Sequence, residues 1–184
     1  MRHLQVAGAA AGAMLMLALA APAAAQNFGS AFTGFSTTSE EPIQIEADRL
    51  EVRVEEKRAV YVGNVTVRQG DTLLKTAELQ VFYAGGGETP GASGTSLQRI
   101  IANGRVIVQS QNRIATGDEA VFEMADETIV LTGNVVLTED ENIVRGERLV
   151  VDLRTGEAQM QGGRVQTILV PGRAQEDQGG GEPR

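Results

Sequence analysis

One short phrase with a central glycine recurs four times along the chain, and this repetition constrains the fold more than any other feature. The phrase reads YVGNVTV at 61–67, ANGRVIV at 102–108, LTGNVVL at 131–137 and QGGRVQT at 161–167. A second phrase, which begins at residues 47, 77, 117 and 146, interleaves with it. Both series return about every thirty residues, with one longer step across 84–96. The pattern predicts about four units of roughly thirty residues, with a loop inserted near 84–96.

Within each unit the apolar residues alternate with polar ones, which is the period of a β-strand. Leu50, Val52 and Val54 alternate with charged residues, and the glycine phrases continue the alternation. Pro90 is the only proline between residues 43 and 170, and sheets exclude proline because it cannot donate a backbone hydrogen bond. No part of the repeat has a helical period. The sequence therefore predicts an all-β domain.

The central glycines Gly63, Gly104 and Gly133 fall on the apolar face of their strands, as does Gly163 in the more polar fourth phrase. Glycine in a strand gives up side-chain packing, so its repetition in register needs a cause. One cause is an interior that requires unfilled space. The other is a bulge or turn at which one sheet folds onto another. The sequence leaves both open, since a folded sheet would itself enclose a cavity.

The two ends of the chain lie outside the repeat. Residues 1–25 combine a basic start, an apolar run and a small-residue end, which is typical of a cleaved secretory signal. A retained membrane anchor is the alternative, but the apolar run is short for a bilayer span. Residues 26–41 are predicted to be a flexible segment and 171–184 a disordered tail. The folded domain is therefore expected to span residues 42–170.

Composition excludes several kinds of chemistry. Without residues 1–25 the chain contains neither cysteine nor histidine, which rules out Ser-His-Asp and Cys-His catalysis and nearly all zinc sites. Removal of those residues takes away one arginine and no acid, so the formal charge changes from −8 to −9. A strongly negative charge argues against nucleic acid as a partner. We expect no cofactor and no metal.

Four longer stretches resemble a known family. They are PIQIEADRLEV from Pro42, AVYVGNVTVRQGDTLLKTAELQVFY from Ala59, ETIVLTGNVVL from Glu127 and NIVRGERLVVDL from Asn142. Their order and spacing resemble the OstA-like domain of the lipopolysaccharide transport proteins, over residues 42–170. The resemblance implies an elongated, V-shaped antiparallel β-jellyroll in the periplasm, whose interior carries the acyl chains of lipopolysaccharide. The insert near 84–96 and the polar fourth phrase depart from the family pattern.

Under this resemblance, the inward-facing positions are candidates for an apolar groove. The alternative for any one of them is that it is ordinary packed core. The predicted groove residues are Leu50, Val52, Val54, Gly63, Val65, Val67, Gly104, Val106, Val108, Phe122, Leu131, Gly133, Val135, Leu137, Leu149 and Val151.

The resemblance also implies end-to-end association through open sheet edges. We place the incoming edge at Ile43 and Ile45, and the outgoing edge at Val165 and Ile168. The implied partners are an LptC-like protein anchored in the inner membrane, the N-terminal domain of an LptD-like outer-membrane translocon, and further copies of the chain. Together they would bridge the inner and outer membranes.

Two other classes of function are alternatives to a lipid carrier. An enzyme with paired carboxylates would use Asp48, Asp118 and Glu147, which occupy similar places in their units. Catalytic residues usually break a repeat, whereas these follow it, so we interpret them as residues at strand entries or at the rim. A structural or adhesive β-repeat protein of the periplasm would instead have a filled core and no lipid cargo.

Overall fold

The computed structural model describes residues 41–171. The predicted secretory signal at 1–25, flexible segment at 26–41 and disordered tail at 171–184 lie outside the described residues, except for residues 41 and 171 at their ends. The described part contains ten strands: β1 Gln44–Glu46, β2 Arg49–Arg53, β3 Arg58–Gln69, β4 Thr72–Gly85, β5 Thr95–Ser110, β6 Arg113–Glu123, β7 Thr128–Glu139, β8 Asn142–Asp152, β9 Ala158–Gln161 and β10 Gln166–Ile168.

All ten strands belong to one antiparallel sheet. Strands β3 to β8 follow one another as a meander, in the same order in space as in the chain. At one end both β1 and β2 pair with β3, and at the other end both β9 and β10 pair with β8. This confirms the predicted all-β antiparallel fold. Across residues 41–171, no helix with the length and apolarity of a membrane span is present.

A line of β-bulges crosses the middle of the sheet at the glycine phrases. The register of each pair shifts around Gly63 in β3, Gly104 in β5 and Gly133 in β7. Gly63 and the following Asn64 both have positive φ, at 85° and 46°, and Gly133 and Asn134 repeat this at 77° and 49°. Two successive left-handed residues insert one extra residue and bend the strand. The bend, rather than a need for unfilled space in the interior, is thus the geometric cause of these glycines.

The line of bulges divides the sheet into two layers. Layer A contains β1, β10 and the residues of β3 to β8 next to the β3–β4, β5–β6 and β7–β8 turns; layer B contains β2, β9 and the remaining halves of those strands. Residues opposite each other in a pair share a face, so Val67, Leu74 and Val108 point inward from layer A, and Leu79 and Ala102 from layer B. One continuous core joins side chains of both layers.

The inward alternation behaves differently on alternate strands. In β3 the odd-numbered residues point inward on both sides of the bulge, as Tyr61 and Val65 do, because the bulge adds a residue. In β4, which has no bulge, the inward residues change from even-numbered, as at Thr76, to odd-numbered, as at Leu79. A bulged strand and its unbulged neighbour therefore form the unit that the sequence repeats. The inserted loop is shorter than predicted, because residues 84–85 complete β4 and 95–96 begin β5.

Candidate functional site

An apolar cavity of about 710 Å³ lies between the two layers, in the part of the sheet formed by β1, β3 to β6 and the start of β7. This volume is within the range of roughly 300–1,000 Å³ that is usual for small-molecule sites. Layer A contributes Ile43, Ile45, Val67, Leu74 and Val108 to its wall. Layer B contributes Tyr61, Leu79, Val81, Ile100, Ala102, Ala120, Phe122 and Ile129.

The cavity exists because small residues occupy positions at which neighbouring strands have leucine. One inward row across layer B runs from Leu79 through Ala102 and Ala120 to Leu131 and Leu149. Alanine fills far less of the space between the layers than leucine, so the wall recedes at β5 and β6. On the β7 and β8 side, Leu131 and Leu149 are fully buried in the core and do not line the cavity.

The surroundings of the cavity are poor in charge. Among the residues that the structure describes, Glu41 is the one carboxylate that lines it, and it lies at the same edge as Ile43. Burial raises the pKa of the Tyr61 hydroxyl, because the phenolate would be poorly solvated in the apolar wall. Within residues 41–171, no group of three or more acidic, histidine or cysteine side chains is placed to hold a metal ion. The arrangement suits an uncharged, flexible hydrocarbon.

The structure separates the predicted groove residues into four groups. Val67, Val108 and Phe122 line the cavity. Leu50, Val52 and Val54 lie exposed along the β2 edge, with exposures of 51%, 37% and 42%. Gly63, Gly104 and Gly133 lie at the bulges and are absent from the cavity wall. The remaining seven are buried in the core without lining the cavity: Val65, Val106, Leu131, Val135, Leu137, Leu149 and Val151. Contact of any of these residues with lipid stays a prediction.

Several cavity residues were not among the predicted groove residues. Leu74, Leu79 and Val81 all lie on β4, where the alternation changes frame at the bulge line. An alternation that switches from even-numbered to odd-numbered residues within β4 would have predicted these three residues. Ile100, Ala102 and Ile129 follow the simple alternation, so their strand period was a sufficient signal.

The repeated carboxylates stabilise the bend. Asn64 Nδ2 donates a hydrogen bond to Asp48 Oδ2 at 2.9 Å, and Asn134 Nδ2 donates one to Asp118 Oδ2 at 2.8 Å. A Cβ on Gly133 would lie 2.8 Å from the Asp118 Cβ, and one on Gly162 would lie 2.8 Å from the Glu147 Cβ. The glycines therefore allow the close approach of these acidic side chains. This placement accounts for the repetition of the carboxylates without any catalytic role.

The loop between β4 and β5, residues 86–94, forms part of the cavity wall through Pro90 and Gly91. The Tyr83 hydroxyl donates a hydrogen bond to the Glu88 carbonyl oxygen at 2.6 Å. Lys57 Nζ donates one to the Gly87 carbonyl oxygen at 3.1 Å and lies 5.9 Å from the centre of the Tyr83 ring. The inserted segment is thus folded against the open end of layer B.

Both edges of the sheet expose aliphatic side chains. Within residues 41–171, nine large hydrophobic residues are exposed; eight of them lie along or beside the terminal strands, and Ile114 is the exception. At the β1 and β2 edge they are Ile43, Leu50, Val52 and Val54; at the β10 edge they are Val165, Ile168, Leu169 and Val170. Of the predicted edge residues, Ile45 is half-buried and lines the cavity together with Ile43. The cavity therefore reaches the β1 edge.

Comparison with known structures gives the same fold. The crystal structure of LptH, the LptA-homologous periplasmic component of the lipopolysaccharide transport device from Pseudomonas aeruginosa, superimposes with a TM-score of 0.60. The match covers 72% of this chain and 97% of that chain, at 19% sequence identity.

Comparison of sequences identifies the family. A protein of uncharacterised function from Rhizobium meliloti (strain 1021) is 39% identical over 83% of this chain and 84% of its own length. The lipopolysaccharide export system protein LptA of Escherichia coli (strain K12) is 25% identical, over 78% of this chain and 79% of that protein. A family model described as LptA/(LptD N-terminal domain) LPS transport protein matches residues 44–157, more than half of the chain. The chain therefore belongs to the LptA and LptD N-terminal domain family of lipopolysaccharide transport proteins, as its repeated phrases indicated.

Proposed function

We propose that the protein is a non-enzymatic periplasmic carrier that holds acyl chains of lipopolysaccharide in the cavity between its layers. The observation that carries this proposal is the apolar cavity itself, whose wall is almost free of charge and which reaches the β1 edge. The family supports the identity of the cargo, because its members are lipopolysaccharide transport proteins. Among the predicted groove residues, Val67, Val108 and Phe122 are the best placed to touch it.

The energetics of the cargo explain why a closed apolar wall is needed. Each buried methylene contributes about 0.8 kcal/mol, so one chain of a dozen carbons is worth roughly 10 kcal/mol. Long-range charge works against binding, because the protein carries a formal charge of −8 and lipopolysaccharide is anionic. Burial of hydrocarbon must therefore supply the affinity. A structural or adhesive protein would have no use for a cavity with this lining.

We further propose that the protein works as one element of a bridge between the two membranes. The open edges support this, since a terminal strand with exposed aliphatic side chains can accept a strand from a neighbouring domain. The β1 edge would receive one neighbour and the β10 edge the next. Such head-to-tail contacts do not close on themselves. The neighbours would be further copies of the chain, an LptC-like protein at the inner membrane and an LptD-like N-terminal domain at the outer membrane.

Ile100 and Ile101 provide a matched test of lipid binding, because they are adjacent on β5 and face opposite sides of the sheet. Ile100 lines the cavity, and Ile101 pairs with Val121 on the outer face. We expect Ile100→Asp to weaken lipopolysaccharide binding by at least about tenfold, since a carboxylate is costly to bury beside hydrocarbon. Ile101→Asp should bind as the parent protein does. Binding is measured with purified protein and lipopolysaccharide, and circular dichroism checks that both variants fold.

Equal binding by the two variants would exclude the cavity as the lipid site. Absence of binding by the parent protein would instead favour the structural or adhesive alternative.

A further inference from the structure

The β4–β5 loop is a built part of the cavity wall, although the strands alone would complete the fold. Its Pro90 and Gly91 face the cavity, whose opposite wall is formed by residues of layer A such as Ile43 and Leu74. The strands that carry it pair as far as Gly85 and Thr95. The loop therefore lies where the two layers are farthest from the bulge line, and it covers the space between them.

The loop is held by few contacts. We call the point where Gly85 and Thr95 pair the neck of the loop. Within residues 41–171, two side chains beyond the neck donate hydrogen bonds to the loop: Tyr83 to the Glu88 carbonyl and Lys57 to the Gly87 carbonyl. Both reach its first half. The second half is folded on itself, since the Thr95 hydroxyl and backbone nitrogen both donate to the Ala92 carbonyl oxygen, at 2.6 and 3.0 Å. Two hydrogen bonds from side chains thus fix the position of this wall.

The ends of the loop are built to bend. Gly85 and Gly94 face each other across the neck with φ of 108° and 81°, and Gly91 has φ of 80°. A Cβ on Gly85 would collide with the Gly94 carbonyl oxygen, whereas one on Gly86, Gly91 or Gly94 would meet nothing within 4 Å. The neck is tight, and Gly87 packs against Thr95 and Ala92 of the same segment, whereas the space around Gly86, Gly91 and Gly94 is open. Little packing would be lost if the loop swung away.

We propose that residues 86–94 form a gate through which acyl chains enter and leave the cavity sideways, and that Tyr83 and Lys57 are the positioning residues that hold it closed. The proposal rests on the proposed function, because it assumes that the cavity takes hydrocarbon. It goes beyond that function by assigning the step that limits exchange. Tyr83 is suited to the role because its ring is buried, at 3% exposure, while its hydroxyl reaches the loop.

If the loop acts as a gate, weakening its closed form should change the rates of ligand binding and release but not the affinity. If exchange proceeds only through the open form, loss of one hydrogen bond that favours the closed form raises entry and exit by the same factor. One net hydrogen bond corresponds to about three- to tenfold. The dissociation constant, which is the ratio of the two rates, then changes little.

Tyr83→Phe and Lys57→Met test the gate in the full-length exported protein. The first removes one hydroxyl and keeps the buried ring; the second keeps the aliphatic stem and removes the ammonium. The probe is parinaric acid, a fatty acid that fluoresces in apolar surroundings, followed by stopped flow; the chain has no tryptophan to interfere. Each variant should bind and release the probe about three- to tenfold faster than the parent. Lys75→Met is the control, because Lys75 is exposed and alternates with the inward Leu74.

Unchanged rates in both variants, with binding intact, would overturn the gate and leave the carrier function standing. Faster release without faster binding would also overturn it, since that result indicates a lost contact with the probe. If the parent protein does not bind the fatty acid, the proposed function fails and the gate fails with it. A ligand-free check is amide hydrogen exchange across 86–94, which Tyr83→Phe should accelerate and Lys75→Met should not.

Discussion

Replacement of Leu131 by alanine is expected to lower the free energy of unfolding by about 2–5 kcal/mol, which is the range for truncation of a fully buried leucine. Leu131 has no exposed surface and lies in the core formed by β7 and β8. Its neighbours Leu149 and Val135 are buried as deeply, so the site has little freedom to collapse around the missing atoms. The loss is measured by urea unfolding, as a shift in midpoint at constant slope.

Leu74 provides the matched control, because the same change removes the same atoms from the wall of the cavity. Leu74 is half-buried and has open space on one side, so it gives up fewer contacts on truncation. We expect Leu74→Ala to cost less than about 2 kcal/mol. Equal losses at the two leucines would mean that the interior is packed alike on both sides, and that the cavity does not persist in solution.

The second large effect is expected at the β10 edge. Lysine in place of both Val165 and Ile168 should weaken end-to-end association by at least about tenfold, because two exposed aliphatic side chains would no longer be buried and charge would be added to an open strand. These residues are 44% and 50% exposed in the single chain, so the fold itself should tolerate the change. Sedimentation over a range of protein concentrations measures the association.

Ile114→Lys separates the edge from exposed hydrophobic surface in general. Ile114 is 38% exposed but lies on β6, away from both edges. Association should survive this change. Loss of association in both variants would point to a contact through the sheet face, and retention in both would exclude the β10 edge as a docking site.

Strand alternation was sufficient to predict the fold class, because each period-2 run became a strand, and residues 86–94 of the glycine-rich segment at 84–96 became a loop. The pairing of β3 with β4 and of β7 with β8 follows from short turns between successive runs. The sequence left open whether the central glycines mark unfilled space or a bend. The central glycines have positive φ, and two of them lie against Asp48 and Asp118 of neighbouring segments. Such contacts cannot be predicted from the sequence of one strand alone.

The position of the cavity could not be predicted from the alternation alone. Leu131 and Ala102 both point inward from their strands. Whether such a residue lies in the core or lines the cavity depends on the side chains opposite it on the neighbouring strands. Ala102 and Ala120 are eighteen positions apart in the chain but directly opposite in the sheet. The predicted groove was therefore spread over the whole interior, whereas the observed cavity is lined by residues near β1, on β3 to β6 and at the start of β7.

The role of the inserted loop was likewise open in the sequence. Its glycines and Pro90 indicated a turn, but its place in the cavity wall depends on Tyr83 and Lys57, which lie outside it. Side chains from β4 and from the β2–β3 turn thus decide where the loop rests. In this position, Pro90 and Gly91 of the loop form part of the cavity wall.

Photo-cross-linking in living cells tests most directly whether the cavity carries lipopolysaccharide. A photoactivatable residue is placed at position 122, whose side chain lines the cavity, or at position 121, whose side chain points outward on the same strand. If the proposed carrier role is correct, lipopolysaccharide forms an adduct with position 122 and none with position 121. No adduct from position 122, or equal adducts from both positions, would contradict it.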